Sequence, residues 1–281
     1  MKLETAHQIC EKIIRENSRS FYAAFKDLPL KKRHAVFSIY AFCRKLDDAI
    51  DLHQDLDELN TFEAYLDQIN SDLVFEDPVM VALQDSVQRY QIDLKPFYEM
   101  IEGQRMDINF TQPINEKELL DYCYHVASTV GLMLLPVLAE KNQSHLRECS
   151  IHLGYAMQIT NILRDVGEDS SMGRIYLPLD DMTPSIVEAI KTKKVNPEFK
   201  VLWEKWAYRA EAYYEMASDQ LYLFDEDSRL PLCQSLVYYK AILNAVRKAN
   251  TDCLSKRQSV SDFISLKREI NERLRKANHH E

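Results

Sequence analysis

The sequence predicts an all-α fold, and three observations carry that prediction. It has 5 glycines in 281 residues, too few for a sheet with many tight turns. Ala, Leu, Glu, Lys, Met and Gln, all good helix formers, dominate long stretches. Apolar residues also recur at intervals of three and four, as in Leu3, Ala6, Ile9, Cys10 and Ile13, the period of one helix face. The glycine scarcity leaves neither a dinucleotide-binding fingerprint nor a P-loop. A chain of this length buries a sizeable core. With no repeat, low-complexity tract or linker, it reads as one domain over residues 1–281.

Composition also bounds function. With 46% hydrophobic and 28% charged residues the chain is an ordinary globular protein. Lys plus Arg is 35 and Asp plus Glu is 44, a net charge of −9. That balance disfavours nucleic acid, whose binding neutralises phosphates with Lys and Arg. An anionic ligand would need a metal to hold it. Cys10, Cys43, Cys123, Cys149, Cys233 and Cys253 are scattered without a CxxC pair, the usage of reduced thiols in a cytosol. They read as small core residues. Residues 1–17 are amphipathic and charged, unlike a signal peptide, and no uninterrupted apolar run reaches the length of a membrane span. A cytoplasmic protein is expected, with surface contact to a bilayer left open.

The elements follow in order. Residues 3–16 form a helix, followed by Ser18-Arg19-Ser20-Phe21, two hydroxyls and a guanidinium at a helix start. The plain reading is an N-cap; the functional one is a set of anion donors. Pro29 precedes a long helix over 30–52, and 53–60 is a polar connection. Helices over 61–74, 79–90 and 95–108 are punctuated by Pro78, Pro96 and Pro113; Gln104, Arg105 and Asp107 on the last are candidates to face a ligand. In the helix over 116–140, Ala127, Ser128 and Gly131 allow a close approach to the backbone, and Gly131 with Pro136 favours a bend. His125 lacks a companion at metal-ligand spacing and reads as structural. After a helix through 154–169 comes a loop over 170–183, then helices over 184–193, 198–224, 231–249 and 261–276, with Trp203 and Trp206 assigned to packing.

Two helices carry polar stripes. Along 154–176, Gln158, Asn161, Arg164, Asp165, Glu168 and Asp169 share one face at 3.6 residues per turn, while Ala156, Ile159, Leu163 and Val166 fall elsewhere. Asn161, Asp165 and Asp169 stand at i, i+4 and i+8, stacking hard oxygen donors along the axis. In 40–51, Tyr40, Arg44, Asp47, Asp48 and Asp51 share a face in the same way. One such stripe is most simply a solvated surface. Two, each mixing Arg with acids amid apolar sequence, point to a site, because crowded carboxylates repel and a divalent cation relieves them. Mg²⁺ favours a few carboxylates plus phosphate oxygens, so a diphosphate is the inferred ligand.

SRSF, YAFCRKLDDAID, YCYHVASTVG and QITNILRDVGEDSSMGRIYLP together resemble, in order and spacing, the signature blocks of the squalene/phytoene synthases. The resemblance covers essentially the whole chain. Its short length and lack of a C-terminal anchor are most similar to the bacterial dehydrosqualene (4,4′-diapophytoene) synthase branch. The resemblance implies a single-domain isoprenoid synthase bundle around a central cavity, Mg²⁺ dependence, and head-to-head condensation of two farnesyl diphosphates through presqualene diphosphate. It places this at the entry to C30 carotenoid biosynthesis, with a downstream desaturase as a partner and peripheral membrane contact for product release.

By matching position, the resemblance assigns Asp47, Asp48, Asp51, Asn161, Asp165 and Asp169 to metal. It assigns Asn17, Ser18, Arg19, Ser20, Tyr40, Arg44, Gln158, Arg164 and Tyr239 to substrate, and Tyr122, Asp48 and Arg164 to catalysis, with Tyr122 assisting proton handling. Asn17 departs from the pattern, which often has His there; Asn hydrogen-bonds a phosphate but carries no charge. Phe25 and Phe37 are bulky residues near the first acidic stripe, expected to limit chain length. Alternatives are squalene synthesis with NADPH, phytoene synthesis from geranylgeranyl diphosphate, chain elongation or terpene cyclisation, and an acidic helical scaffold without catalysis. A di-iron bundle needs two ExxH pairs, and Glu4/His7 is the one match.

Overall fold

The computed structural model describes residues 1–51, 56–72, 74–260 and 263–279, the side chains of Asp51 and Phe263 excepted. Among the described residues there are thirteen α-helices and no strand. They are α1 Leu3–Asn17, α2 Arg19–Phe25, α3 Leu30–Asp51, α4 Leu56–Asp67, α5 Pro78–Tyr90, α6 Lys95–Ile108 and α7 Glu116–Cys123. The rest are α8 Thr129–Leu138, α9 Gln143–Ser171, α10 Pro184–Thr192, α11 Pro197–Ser218, α12 Glu226–Lys248 and α13 Phe263–Asn278. Two long helices organise them. α3 packs against α1, α5, α6 and α8, while α9 packs against α8, α11 and α12. One connected hydrophobic core runs from Ala6 to Ala277.

The helix starts follow from local chemistry. Pro78, Pro184 and Pro197 open α5, α10 and α11, where a missing N–H costs nothing. The residue before each caps the helix: Asp77 accepts from Val79 and Met80 N–H at 2.8 and 3.1 Å. Thr183 and Asn196 accept in the same way from Ile186 and Phe199 N–H.

Several expected boundaries shift. α4 begins at Leu56 and ends at Asp67; residues 56–60 are thus helical, and 52–55 lie outside the described residues. Gln84 donates to the Ile69 and Ser71 carbonyls at 3.1 and 3.2 Å, fixing the turn that replaces the expected last helical turn. α12 starts at Glu226, ahead of Pro231, because Lys32 Nζ holds Asp225 and Asp227 at 2.8 and 2.6 Å and anchors its first turn. α11 stops at Ser218, and a short 3₁₀ turn, Leu221–Leu223, completes the expected 198–224 segment. The helix expected over 116–140 is interrupted by a π-helical turn at Tyr124–Ser128. A β-carbon on Gly154 would run into the Ser128 backbone there, so α9 crosses against this turn. The partner that the small residues of 127–131 admit is therefore a neighbouring helix.

Candidate active site

A cavity of about 1190 Å³ opens between α2, α3, α6, α8, α9 and α12. Its lining changes character along each wall. On α3 it passes from Val36 and Ile39 through Tyr40 and Cys43 to Arg44 and Asp47, about 16 Å at 1.5 Å per residue. On α9 it passes from Leu153 and Met157 through Gln158 and Asn161 to Arg164, Asp165 and Asp169. On α12 Leu232 gives way to Tyr239. One end is thus oily and the other carries both charged stripes. Leu134, Leu135, Leu138 and Phe224 add to the apolar wall.

The structure brings most of the expected residues to this cavity. Asn17, Ser18, Arg19 and Ser20 line it where α1 meets α2, with Tyr40, Arg44, Asp47, Tyr122 and Tyr239 from other elements. Ser18 makes no side-chain cap bond to α2, so the plain N-cap reading does not hold. Asn17 Nδ2 donates to the Ile13 carbonyl at 2.9 Å, closing α1. Asp48 does not line the cavity; it is salt-bridged to Arg44 one turn back. Glu168 stands off the cavity and meets Arg257 at 3.6 Å. The side chain of Asp51 lies outside the described residues. Phe25 lines the cavity, whereas Phe37 is buried behind it, its ring 5.7 Å from that of Tyr22.

Arg164, Asp165 and Asp47 at the polar end already have partners. Arg164 Nε donates to Asp165 at 2.8 Å, and Arg257 Nε approaches the same carboxylate at 3.1 Å. Burial works against the Arg164 charge, but the pairing with Asp165 outweighs it and raises its pKa. Gln104 donates to Asp47 at 2.7 Å. Asp169 has its pKa raised from 3.8 to about 7, first by burial and then by the charges of Asp165 and Glu168. Tyr40 is pushed up to about 12 by burial, against the nearby Arg44. Among the described residues no three His, Cys, Asp or Glu side chains form a ready metal cage; instead, acids on two helices open on one space.

The three α6 candidates divide, and the cavity also takes residues that the sequence reading left unassigned. Gln104 and Asp107 do face the cavity, but Arg105 turns away to Glu63 and Glu102. Arg174, Tyr176 and Arg257 line it as well. Arg257 arrives on the segment after α12, which can lie against α9 because Gly167 has no side chain: its N–H donates to the Cys253 carbonyl at 3.1 Å. A β-carbon there would collide with the Leu254 carbonyl.

A model of the squalene/phytoene synthase family matches residues 14–263. The chain belongs to this family of synthases. It is 36% identical over 255 residues to the 4,4′-diapophytoene synthase of Staphylococcus haemolyticus, spanning 88% of this chain and 90% of the relative. It is also 36% identical over 273 residues to the phytoene synthase of Arthrospira platensis, spanning 91% and 88%. A solved dehydrosqualene synthase, in complex with ligand, superposes with a TM-score of 0.92 at 39% identity over 98% of both chains. Family membership and the all-α synthase fold expected from the four sequence blocks are both borne out. Among the described residues no helix is long and apolar enough to cross a membrane.

Proposed function

We propose that this protein joins two farnesyl diphosphates head to head, through presqualene diphosphate, to give dehydrosqualene (4,4′-diapophytoene). The observation that carries the reading is the polarity of the cavity, acids and arginines at one end and an apolar tunnel at the other. Its volume of about 1190 Å³ exceeds the ~300–1,000 Å³ of a pocket for one small ligand, which suits two prenyl chains. The likeness to a diapophytoene synthase supports the fifteen-carbon substrate, as does the bulk of Phe25 in the wall. The equal identity to a phytoene synthase supports a second reading with geranylgeranyl diphosphate.

The donor set suits Mg²⁺. Asp47, Asn161, Asp165 and Asp169 offer hard oxygens, and Asp169 has its pKa raised first by burial and then by the neighbouring acids Asp165 and Glu168. Asp47 from α3 and Asn161, Asp165 and Asp169 from α9, all on the cavity wall, would hold the metal. When bound, it neutralises charge on the departing diphosphate.

The chain's own residues account for the remaining tasks. Arg44, Arg164 and Arg257 bind diphosphate oxygens through charge-assisted hydrogen bonds. Asn17, Ser18, Arg19, Ser20, Tyr40, Gln158 and Tyr239 donate further bonds around it. The apolar wall excludes water, which would quench an allylic cation as an alcohol, and Tyr122 takes part in removing the proton lost when the cyclopropane closes. We also read residues 1–281 as one domain, because a single core spans it. The protein is proposed to be cytoplasmic, with bilayer contact for release of its insoluble product to a downstream desaturase.

Incubation with farnesyl diphosphate and Mg²⁺, without NADPH, is expected to yield dehydrosqualene in a hydrocarbon extract. Squalene on adding NADPH, or phytoene made preferentially from geranylgeranyl diphosphate, would move the assignment within the family. No hydrocarbon from either substrate would overturn it. Asp47→Asn and Asp165→Asn should each abolish turnover with unchanged far-UV circular dichroism.

A further inference from the structure

A buried carboxylate stands behind Tyr122. Asp107, in the last turn of α6, is 9% exposed. It accepts from two phenols, Tyr122 Oη at 3.0 Å on one oxygen and Tyr176 Oη at 2.9 Å on the other. The two tyrosine rings stack with centroids 4.9 Å apart, and Arg174 donates to the Asp107 backbone carbonyl at 3.2 Å. All four residues line the cavity. Three elements, α6, α7 and the loop after α9, therefore converge on one acid. A carboxylate bonded to two O–H groups acts as acceptor in both. Each phenol proton is turned toward Asp107, and each phenol oxygen keeps lone pairs for another partner.

We propose that Asp107 is the proton acceptor that lets Tyr122 serve as a base. The inference rests on the condensation proposed above. When the cyclopropane forms, a C–H bond at the newly joined carbon breaks, and its electron pair closes the ring onto the cationic carbon. The released proton goes to Tyr122 Oη, while the proton already on that oxygen passes along the existing hydrogen bond to Asp107 Oδ2. The cation is neutralised, the carboxylate becomes a neutral acid and Tyr122 ends as it began. No oxidant or reductant is required, and Asp107 returns its proton to water when the product leaves.

Tyr122 alone is poorly suited to the task. Burial, followed by the charge of Asp107, holds its phenol well above the usual range, so phenolate is not populated at neutral pH. A phenol without an outlet for its own proton would have to become an oxonium ion. Tyr176 is a positioning residue, occupying the second Asp107 oxygen and holding the carboxylate plane toward Tyr122.

Asp107→Asn keeps the size of the side chain but cannot accept the proton. Its kcat should fall about 100-fold or more, the typical scale of general acid–base catalysis, with KM for farnesyl diphosphate and the Mg²⁺ requirement essentially unchanged. Asp107→Gly leaves a gap on the cavity wall, and added formate should restore kcat there about tenfold or more on the same general-base scale, whereas chloride at equal ionic strength should not. Tyr176→Phe should lose less than Asp107→Asn. The inference is overturned if folded Asp107→Asn keeps wild-type kcat. It is also overturned if formate leaves Asp107→Gly unrestored, or if the main change is a higher Mg²⁺ requirement. Failure of the condensation itself would show separately, as wild-type protein that makes neither presqualene diphosphate nor a C30 hydrocarbon.

Discussion

Asp169 offers a test of the acid row that needs no turnover. Its pKa is raised from 3.8 to about 7, first by burial and then by Asp165 and Glu168. Below pH 3.8 the group is protonated in both folded and unfolded chains and contributes nothing to a pH dependence. Between the two values the folded state binds more protons, so stability falls as pH rises. Above about 7 the full penalty of the buried charge is present. A shift of 7 − 3.8, about 3 units, corresponds to at most ~4 kcal/mol at 1.36 kcal/mol per unit. Partial solvent screening reduces this to about 1–2 kcal/mol.

Asp169→Asn should therefore stabilise the metal-free protein at pH 8 by that amount, raising Tm by about 2–6 °C for a chain of this size. At pH 4 the two proteins should melt together. Adding Mg²⁺ with inorganic pyrophosphate should raise the Tm of the wild type, since a ligand selective for the native state stabilises it, and should raise that of Asp169→Asn less. Differential scanning calorimetry across pH reads all three comparisons. A variant less stable at pH 8, or one with the same gain at pH 4, would refute the crowding argument.

Phe25→Ala should enlarge the cavity and allow phytoene formation from geranylgeranyl diphosphate, read as extracted C40 hydrocarbon. Phe37 is 1% exposed but does not line the cavity, so Phe37→Ala should cost about 3–5 kcal/mol of stability in urea unfolding without a comparable gain in long-chain product. Gly167→Ala should push the segment carrying Arg257 off α9 and raise KM for farnesyl diphosphate about tenfold, the worth of one charged hydrogen bond. Arg257→Ala should reproduce that KM, whereas an effect confined to Gly167→Ala would mean that packing alone is at stake.

Both stripes were legible in the sequence because each lies on a single helix, where spacing fixes which residues share a face. Tyr40, Arg44 and Asp47 on α3, and Gln158, Asn161, Arg164, Asp165 and Asp169 on α9, all reach the cavity. Along both helices the residues that line the cavity run from apolar, at Val36 and Leu153, to charged. The helix period fails where the backbone departs from it. The π-helical turn at Tyr124–Ser128 falls in a run whose composition is that of an unbroken helix. It arises where α9 crosses at Gly154, a contact made by residues distant in sequence. Pro231 was a misleading start for a related reason, because the Lys32 pairing that starts α12 earlier comes from α3.

The residues that spacing could not supply are those delivered by tertiary contact. Arg257 sits in a polar segment with no periodicity of its own, and what brings it to Asp165 is the absence of a side chain at Gly167. Gly167 is itself conspicuous, one of 5 glycines in the chain and set between the acids of α9. A glycine there costs up to about 1 kcal/mol of helix propensity relative to Ala. Close approach by another strand of backbone is the physical reason to keep it. Asp107 is the complementary case. Sequence marked it only as a residue of α6 that could face a ligand, and its two partners emerge only when Tyr122 and Tyr176, from two other elements, bring their hydroxyls to its two oxygens. A buried carboxylate is costly unless its oxygens are satisfied, so the pair of tyrosines explains how Asp107 is tolerated in the cavity wall. The bond from Tyr122 would also put the proposed proton acceptor one hydrogen bond behind that phenol.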